Sequence, residues 1–395
     1  MKVVVTATTR NAGLAIVRAL GQDGIEVIGT DDRTLPFGWT SRYARRHYVY
    51  PPTDAAGCVA ALLSVIQKEK PDVLLPIGGA NLISKHKLEF EKHCALLAPD
   101  FGSFSVAFDN RKTLEECAIL GIPCPRILTE SEAMEILRDN SHRSAPVMLV
   151  IKPKREVGGG QGIYYCVDGT SLKGVKNQIE NRFGETVIQE YIPGDTECMR
   201  TVNLIFDKRS RLAAYFTMRK IRQWPLTGGI TALSVSTDER ELVDIVLPFF
   251  QKWQWRGPAE VEFKIDPRDH RPKLIEINPR FWGYIGFPIQ CGVNFPLIAC
   301  HLAKGGNAAD WAYPKYTIGT KYVNPTAYAK AVRADFQRTR HKIRLLRQVW
   351  KELKGKKATN NLQWSDALSV IGKMLAELKP SNRSSYWFVT ENDTK

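Results

Sequence analysis

At about 150 residues per domain, a chain of 395 residues predicts two or three domains, each long enough to bury a core. Its 44% hydrophobic and 25% charged residues exclude a disordered or fibrous chain. Lys and Arg number 56 against 41 Asp and Glu, a net charge of +15 that taken alone suggests a nucleic-acid or anionic-membrane partner. The excess is local: 13 Lys and Arg face only Asp335 and Glu352 between Lys315 and Lys357, whereas residues 1–314 carry 39 basic against 35 acidic residues. No apolar run reaches the ~18 residues of a membrane span. The apolar stretch before Arg10 is too short for a signal peptide. The eight cysteines are scattered without a Cys-x-x-Cys pair, which predicts buried, reduced thiols in a cytosolic protein.

The first hundred residues alternate strand and helix. Lys2–Ala7 reads as a buried parallel strand, and Asn11 to Leu20 as a helix. A strand over Glu26–Thr30 ends at Asp31-Asp32. A helix over Ala55–Lys70, a strand over Val73–Pro76, a helix over Ile83–His93 and a segment Cys94–Ala98 complete a doubly wound pattern. The first turn, Ala7 to Gly13, lacks Gly-x-Gly-x-x-Gly, so a nicotinamide site built on residues 1–105 is disfavoured against a scaffold layer.

From Asp109 the pattern changes. A helix over Lys112–Leu120 ends at Gly121, and Pro123 and Pro125 bar its continuation. Short strands with Gly-rich turns follow over Val147–Lys152, Gly162–Val167, Thr186–Ile192, Met199–Phe206, Arg211–Met218, Ala259–Ile265 and Lys273–Ile277. The expected class is therefore α/β followed by α+β.

The strongest chemical signal is Glu262 with Glu276-Ile277-Asn278-Pro279-Arg280. Residues two apart on a strand share a face, so Glu276 and Asn278 point together, and a hairpin would set Glu262 beside Glu276. Two carboxylates and an amide oxygen suit Mg²⁺ shared with phosphates, and Arg280 is placed to stabilise a transferring phosphoryl group. The alternative is a polar strand face paired with Lys264 and Lys273. A second signal, Lys152 followed by Gly158-Gly159-Gly160-Gln161-Gly162, lies between two strands and has no Gly-Lys-Ser/Thr, so it is no Walker A loop. A glycine loop folding over phosphates fits it, with Lys152 as a fixed cation; a plain hairpin is the alternative. The third, Gln189-Glu190-Tyr191-Ile192 running on to Glu197, reads as a strand leaving its sheet into a linker that could meet a nucleobase and a ribose. In Met218–Pro225, Lys220 and Arg222 share a strand face and could hold a carboxylate or a γ-phosphate, unless this is a charged edge strand. Trp282 reads more naturally as core than as the wall of an acceptor pocket.

In this order and spacing the segments resemble the ATP-grasp superfamily, in particular its carboxylate–amine ligase and carbamoyl-phosphate-synthase-large-chain-like group. The resemblance covers roughly residues 1–310. It implies that Lys112 and Lys152 are phosphate-binding lysines and that Gly158, Gly159 and Gly160 belong to the phosphate loop. It also implies that Gln189, Glu190 and Ile192 meet adenine, that Glu197 meets ribose, and that Glu262, Glu276 and Asn278 hold the metal. Arg280, Lys220 and Arg222 are the implied catalytic cations. The hinge begins with Gln189 where many relatives have an acid, and Glu197 stands one residue further on than in some. The implied fold is a Rossmann-like pre-ATP-grasp domain over residues 1–105, a two-subdomain ATP-grasp fold over 106–312 and a basic helical extension over 313–395. The implied reaction uses ATP and Mg²⁺, or Mn²⁺, to activate a small-molecule carboxylate as an acyl phosphate, which an amine then captures. A non-catalytic ATP-binding scaffold is the alternative.

In the basic block, Ile343, Leu346, Val349, Trp350 and Leu353 form one helical stripe within Arg338–Lys354, and Trp364, Leu368, Ile371, Leu375 and Leu378 form a second. A basic amphipathic helix with Trp at its boundary fits an anionic membrane surface contacted through residues 315–357, at the inner face of the membrane of a cytoplasmic protein. A hairpin packed on the catalytic body is the alternative. Nucleic acid ranks third, because no binding motif accompanies the charge.

Overall fold

The computed structural model describes residues 1–31, 41–49, 54–142, 146–155, 157, 160–311, 315–359 and 366. Helices and three sheets alternate in it, a mixed α/β architecture.

The first sheet is parallel, in the order β3-β2-β1-β4-β5. Its elements are β1 (Lys2–Thr6), α1 (Asn11–Gln22), β2 (Glu26–Asp31), β3 (Ala44–Val49), α2 (Ala55–Glu69), β4 (Val73–Leu75), α3 (Ala80–Lys85), α4 (Lys87–Glu91) and β5 (Ala95–Leu96). Val3, Val4 and Val5 are wholly buried because helices cover both faces of β1. Three differences from the sequence reading stand out. Strand β3 was not expected, because Ala44-Arg45-Arg46-His47-Tyr48-Val49 neither alternates nor runs apolar. The helix expected over Ile83–His93 is two short ones, since His86 leaves helical geometry at φ −103° and ψ 22°. Asp31 is consumed internally: both the N–H and the hydroxyl of Thr9 donate to its Oδ2, at 2.7 and 2.6 Å.

Helices α5 (Phe101–Phe108) and α6 (Asn110–Ile119) lead out of this sheet, α6 starting where Asp109 accepts from the N–H groups of Arg111 and Lys112. A four-stranded antiparallel sheet, ordered β6-β9-β7-β8, follows. It comprises β6 (Ile127–Leu128), α7 (Glu130–Arg138), β7 (Leu149–Pro153), β8 (Tyr164–Cys166), α8 (Gly169–Phe183) and β9 (Thr186–Glu190). Thr129 and Glu132 close a capping box at the start of α7.

The third sheet has seven strands, in the order β14-β13-β10-β11-β12-β15-β16. Its elements are β10 (Met199–Phe206), β11 (Leu212–Trp224), β12 (Ile230–Thr237), α9 (Arg240–Lys252), β13 (Gly257–Ile265), β14 (Pro272–Asn278), α10 (Gly286–Cys291), α11 (Phe295–Ala303), β15 (Lys321–Val323), α12 (Pro325–Arg338), α13 (Lys342–Glu352) and β16 (Lys357–Ala358). One face packs on α9 through Val243, Val246, Phe249 and Phe250. The other shares a core with the first sheet: Val3, Val5 and Ile16 join Phe216, Met218, Trp282, Phe287 and Phe295. Trp282 is therefore core, edge-on to Phe295 at 4.9 Å. This shared core fixes the first sheet's loops against the third sheet.

The basic block does not stand apart from this sheet. Strand β15 pairs with β12 and β16 with β15, while Ala327, Tyr328 and Ala331 of α12 pack on Ala232 and Leu233. Further on, Asp366 accepts from Arg18 Nε and Ser41 Oγ, both at 2.8 Å, a buried ion pair spanning 348 positions. The second apolar stripe, Trp364 to Leu378, lies outside the described residues. All eight cysteines are free thiols. Among the described residues no helix is long and apolar enough to cross a membrane.

Candidate active site

The hairpin β13–β14 builds the centre of the site. Along β13, Val261 and Phe263 enter the core, which leaves Glu260, Glu262 and Lys264 on the opposite face. On β14, Leu274 and Ile277 are buried, while Glu276 and Asn278 emerge beside the β13 acids. The register sets Glu262 opposite Glu276 and Glu260 opposite Asn278. Asn278 Nδ2 donates to Glu276 Oε1 at 3.0 Å, and Arg280 Nη2 lies 3.4 Å from Asn278 Oδ1. The pairing expected from residue spacing thus forms.

Cations from two other strands meet these acids. Lys220 of β11 donates to Glu262 Oε1 at 2.7 Å. Burial works against its charge, but Glu262, with Glu260 and Glu276 behind it, outweighs burial and raises its pKa. Lys152 of β7 reaches across from the second sheet and donates to the Ile275 carbonyl at 3.1 Å. Burial lowers its pKa against the pull of Glu276 and Glu262. Glu260 is buried, and burial, resisted by Arg280 and reinforced by Glu262, pushes its pKa up to about 7. Tyr284 donates to Glu260 Oε1 at 2.7 Å, and Arg280 Nη1 lies 3.7 Å from its Oε2. Three carboxylates and three cations thus share one wall.

That wall closes a cavity of about 700 Å³ whose far side is the second sheet. Met148, Val150, Ile163 and Ile192 give it an apolar lining. Gln189 is buried there, and its Oε1 has no hydrogen-bond donor among the described residues. Tyr165 meets Tyr191 edge-on at 5.6 Å, and Lys264 Nζ stands 4.9 Å over the Tyr191 ring. Gly160 has φ +73°, and a Cβ there would come within 2.9 Å of the Gly228 carbonyl. The glycine segment therefore touches the Thr227–Gly229 loop, which Tyr165 also holds through a 2.5 Å bond to the Thr227 carbonyl. Gly158 and Gly159 lie outside the described residues.

Three expected residues are placed differently, and a fourth lines the cavity with its side chain engaged elsewhere. Arg222 does not share the face of Lys220: the ladder shifts register on both sides of it, and its guanidinium turns to Glu352 at 2.7 Å and to Asp335. Glu197 is half-exposed and ion-paired with Arg219 at 2.5 Å, while its neighbours Asp195 and Thr196 line the cavity. Lys112 is exposed on α6 and off the cavity lining. Glu190 lines the cavity but pairs with Arg268 at 2.7 Å. Glu260, Tyr284, Arg10 and Asn11 also line the cavity, as does Lys264, which stands over Tyr191 instead of pairing with the acids. Strand alternation marks Glu260, which is one two-residue step from Glu262. Nothing local marks Arg10 and Asn11, which the shared core brings in from the first sheet.

The donor set fits a hard divalent cation that phosphate oxygens help to ligate. Glu262, Glu276 and Asn278 offer only oxygens, and Lys220 already occupies Glu262 as a cation would. Among the described residues no three His, Cys, Asp or Glu side chains are grouped to hold a metal unaided.

Comparison with known proteins bears on the fold and on the segment that holds the hairpin. A family model described as ATP-grasp in the biosynthetic pathway with Ter operon matches residues 182–326. The D-aspartate ligase of Enterococcus faecium (strain Aus0004) is 24% identical over 228 residues, 54% of this chain and 54% of that protein. The carbamoyl phosphate synthase large chain of Thermoanaerobacter sp. (strain X514) is 23% identical over 287 residues, 68% of this chain and 26% of that one. The chain thus spans about half of the first relative's length and a quarter of the second's. Among solved structures, the biotin carboxylase domain of Hydrogenobacter thermophilus 2-oxoglutarate carboxylase, in complex with MgADP, ADP and bicarbonate, superposes with a TM-score of 0.60 at 17% identity, covering 80% of this chain and 71% of that one.

Proposed function

We propose that this chain, a member of the ATP-grasp superfamily, uses ATP and Mg²⁺ to activate a carboxylate as an acyl phosphate and joins it to an amine. The observation that carries this reading is the convergence of Lys152, Lys220 and Arg280 on Glu262, Glu276 and Asn278 at one end of a nucleotide-sized cavity. In it, residues 1–105 form the Rossmann-like pre-ATP-grasp domain, 106–312 the ATP-grasp fold and 313–395 a basic C-terminal extension. A cytoplasmic site of action follows from the demand for ATP.

The adenine lies against Val150, Ile163 and Ile192, with the Gln189 carboxamide oxygen accepting from its amino group. The backbone of Glu190 to Ile192 borders it, and Asp195 and Thr196 stand by the ribose. Gly160 and the Thr227–Gly229 loop enclose the phosphates. Glu262, Glu276 and Asn278 would hold Mg²⁺, or Mn²⁺, which would supply Lewis-acid polarisation of the phosphates. A carboxylate oxygen attacks the γ-phosphorus, and the bond to the β-phosphate oxygen breaks to release ADP. The amine nitrogen then attacks the acyl carbon, inorganic phosphate leaves, and the nitrogen loses a proton. The obstacle to the first step is repulsion between two anions. Lys152, Lys220 and Arg280 offset it from fixed, largely buried positions, where a charge is worth more than in water. Lys220, which donates to Glu262 Oε1 at 2.7 Å, would be free to meet a phosphate oxygen were Glu262 engaged by the metal. Glu260 and Tyr284 act behind Arg280, holding its guanidinium in place.

The test is a screen of ADP release over carboxylate and amine pairs, beginning with amino-acid carboxylates such as D-aspartate. Release that needs both partners and Mg²⁺, and that Glu276→Gln abolishes in a folded protein, is the expected result. Wild-type-like release from Glu276→Gln contradicts the assignment.

A further inference from the structure

Helix α13 presents a face that the catalytic reading does not use. Ile343, Leu346, Trp350 and Leu353 recur at i, i+3, i+7 and i+10 and are 70, 57, 62 and 38% exposed. At 100° per residue they occupy an arc of about 80°. The helix packs on the body through other positions: Leu345 is buried, Val349 joins the small core under α12, and Glu352 is buried. The arc is therefore not the packing face.

The charges around the arc have one sign. Residues 336–357 hold nine Lys and Arg, all exposed, and a single acid, Glu352. Glu352 is turned inward, accepting from Arg222 Nε at 2.7 Å and from Tyr328 OH at 2.8 Å. Arg222 also draws in Asp335. Lys321 Nζ fixes the end of the helix by donating to the carbonyls of Lys351, Glu352 and Lys354 at 2.9–3.0 Å. Lys354 Nζ lies 3.3 Å over the Trp350 ring, so a cation stands against the indole within the apolar arc.

We infer that the exposed apolar arc of α13, ringed by cations, docks the protein on an anionic lipid bilayer. Each part of the surface has a use there. Lys and Arg meet headgroup phosphates, Trp350 takes the interfacial level, and Ile343, Leu346 and Leu353 enter the acyl boundary. A nucleic-acid backbone would use the cations and leave the apolar arc in water. An exposed acid would weaken attraction to anionic lipid, and the fold buries the one this segment has.

The full chain is floated with vesicles of phosphatidylcholine alone and of equal parts phosphatidylcholine and phosphatidylglycerol. Binding is expected only to the mixed vesicles. The Arg344→Gln, Arg347→Gln, Lys351→Gln triple variant should weaken it on the order of 100-fold. Trp350→Ser should weaken it about tenfold. All four positions are exposed, and both variants should unfold at the parent's temperature. Several results overturn the proposal: no binding by the full chain, equal binding to both vesicles, or retention by the variants equal to the parent's. A Trp350→Ser effect absent beside a strong charge effect also overturns it, since that marks a surface for soluble polyanions. So does a loss of self-association in place of vesicle binding, or binding that appears only after deletion of residues 367–395.

Discussion

Two stretches of one sheet, the β13–β14 hairpin and the segment of β11 from Lys220 to Arg222, obey the same period-two rule and end differently. In the hairpin the register runs unbroken from Glu260 opposite Asn278 to Glu262 opposite Glu276 and shifts only beyond Glu262, so the three acids and Asn278 share the cavity face. In β11 the register shifts between Lys220 and Arg222, and Lys220 faces the cavity while Arg222 faces α12 and α13. Two cations two residues apart thus serve different purposes: one meets the acids of the site, the other pins the basic helices to the sheet. Alternation predicts shared faces only where the ladder is regular.

The contrast can be tested from its strongest side downward. Glu276→Gln and Arg280→Ala should each lower ADP release about a thousandfold with near-ultraviolet circular dichroism unchanged, since they remove a metal ligand or a charge aimed at the phosphoryl group. Lys220→Met should cost on the order of 100-fold in kcat. Breaking the other cation's contacts should show in stability instead. Glu352→Ala leaves Arg222 half-unpaired and should lower the unfolding free energy by about 3–5 kcal/mol in urea titration, with turnover per folded molecule unchanged. A turnover loss matching that of Lys220→Met would erase the distinction between the two cations. Lys112→Ala, exposed on α6 and off the cavity lining, should change the KM for ATP by less than about threefold. A shift as large as that of Lys152→Ala would show that α6 reaches the phosphates during turnover.

Much of the site was legible because its chemistry is local to short strands. Glu262, Glu276, Asn278 and Arg280 could be placed from spacing alone, Lys152 from its glycine segment, and Gln189 from a strand that leaves its sheet. What was not legible depends on tertiary structure. Arg10 and Asn11 reach the cavity only because two sheets share a core, and Asp195 and Thr196 take the place of Glu197 because Arg219 draws that carboxylate away. The bulge beside Arg222 leaves no signature in Arg219-Lys220-Ile221-Arg222. In the first sheet, β3 is polar yet pairs with β2, so burial pattern gave no sign of it. The stripe on α13 is visible in the sequence; that Val349 packs inward while the rest of it lies off the packing face emerges only from the burial of Leu345 and Glu352 and the core under α12.

The central claim is that the cations and acids at the β13–β14 hairpin serve transfer of a phosphoryl group to a carboxylate. It is tested most directly with a carboxylate substrate from the ADP-release screen, labelled with heavy oxygen at the carboxyl group and supplied with ATP, Mg²⁺ and the amine. Each turnover should move one labelled oxygen into the inorganic phosphate released, because an acyl phosphate passes its bridging oxygen to phosphate when the amine displaces it. Unlabelled phosphate, formed at the same rate as ADP, would contradict it.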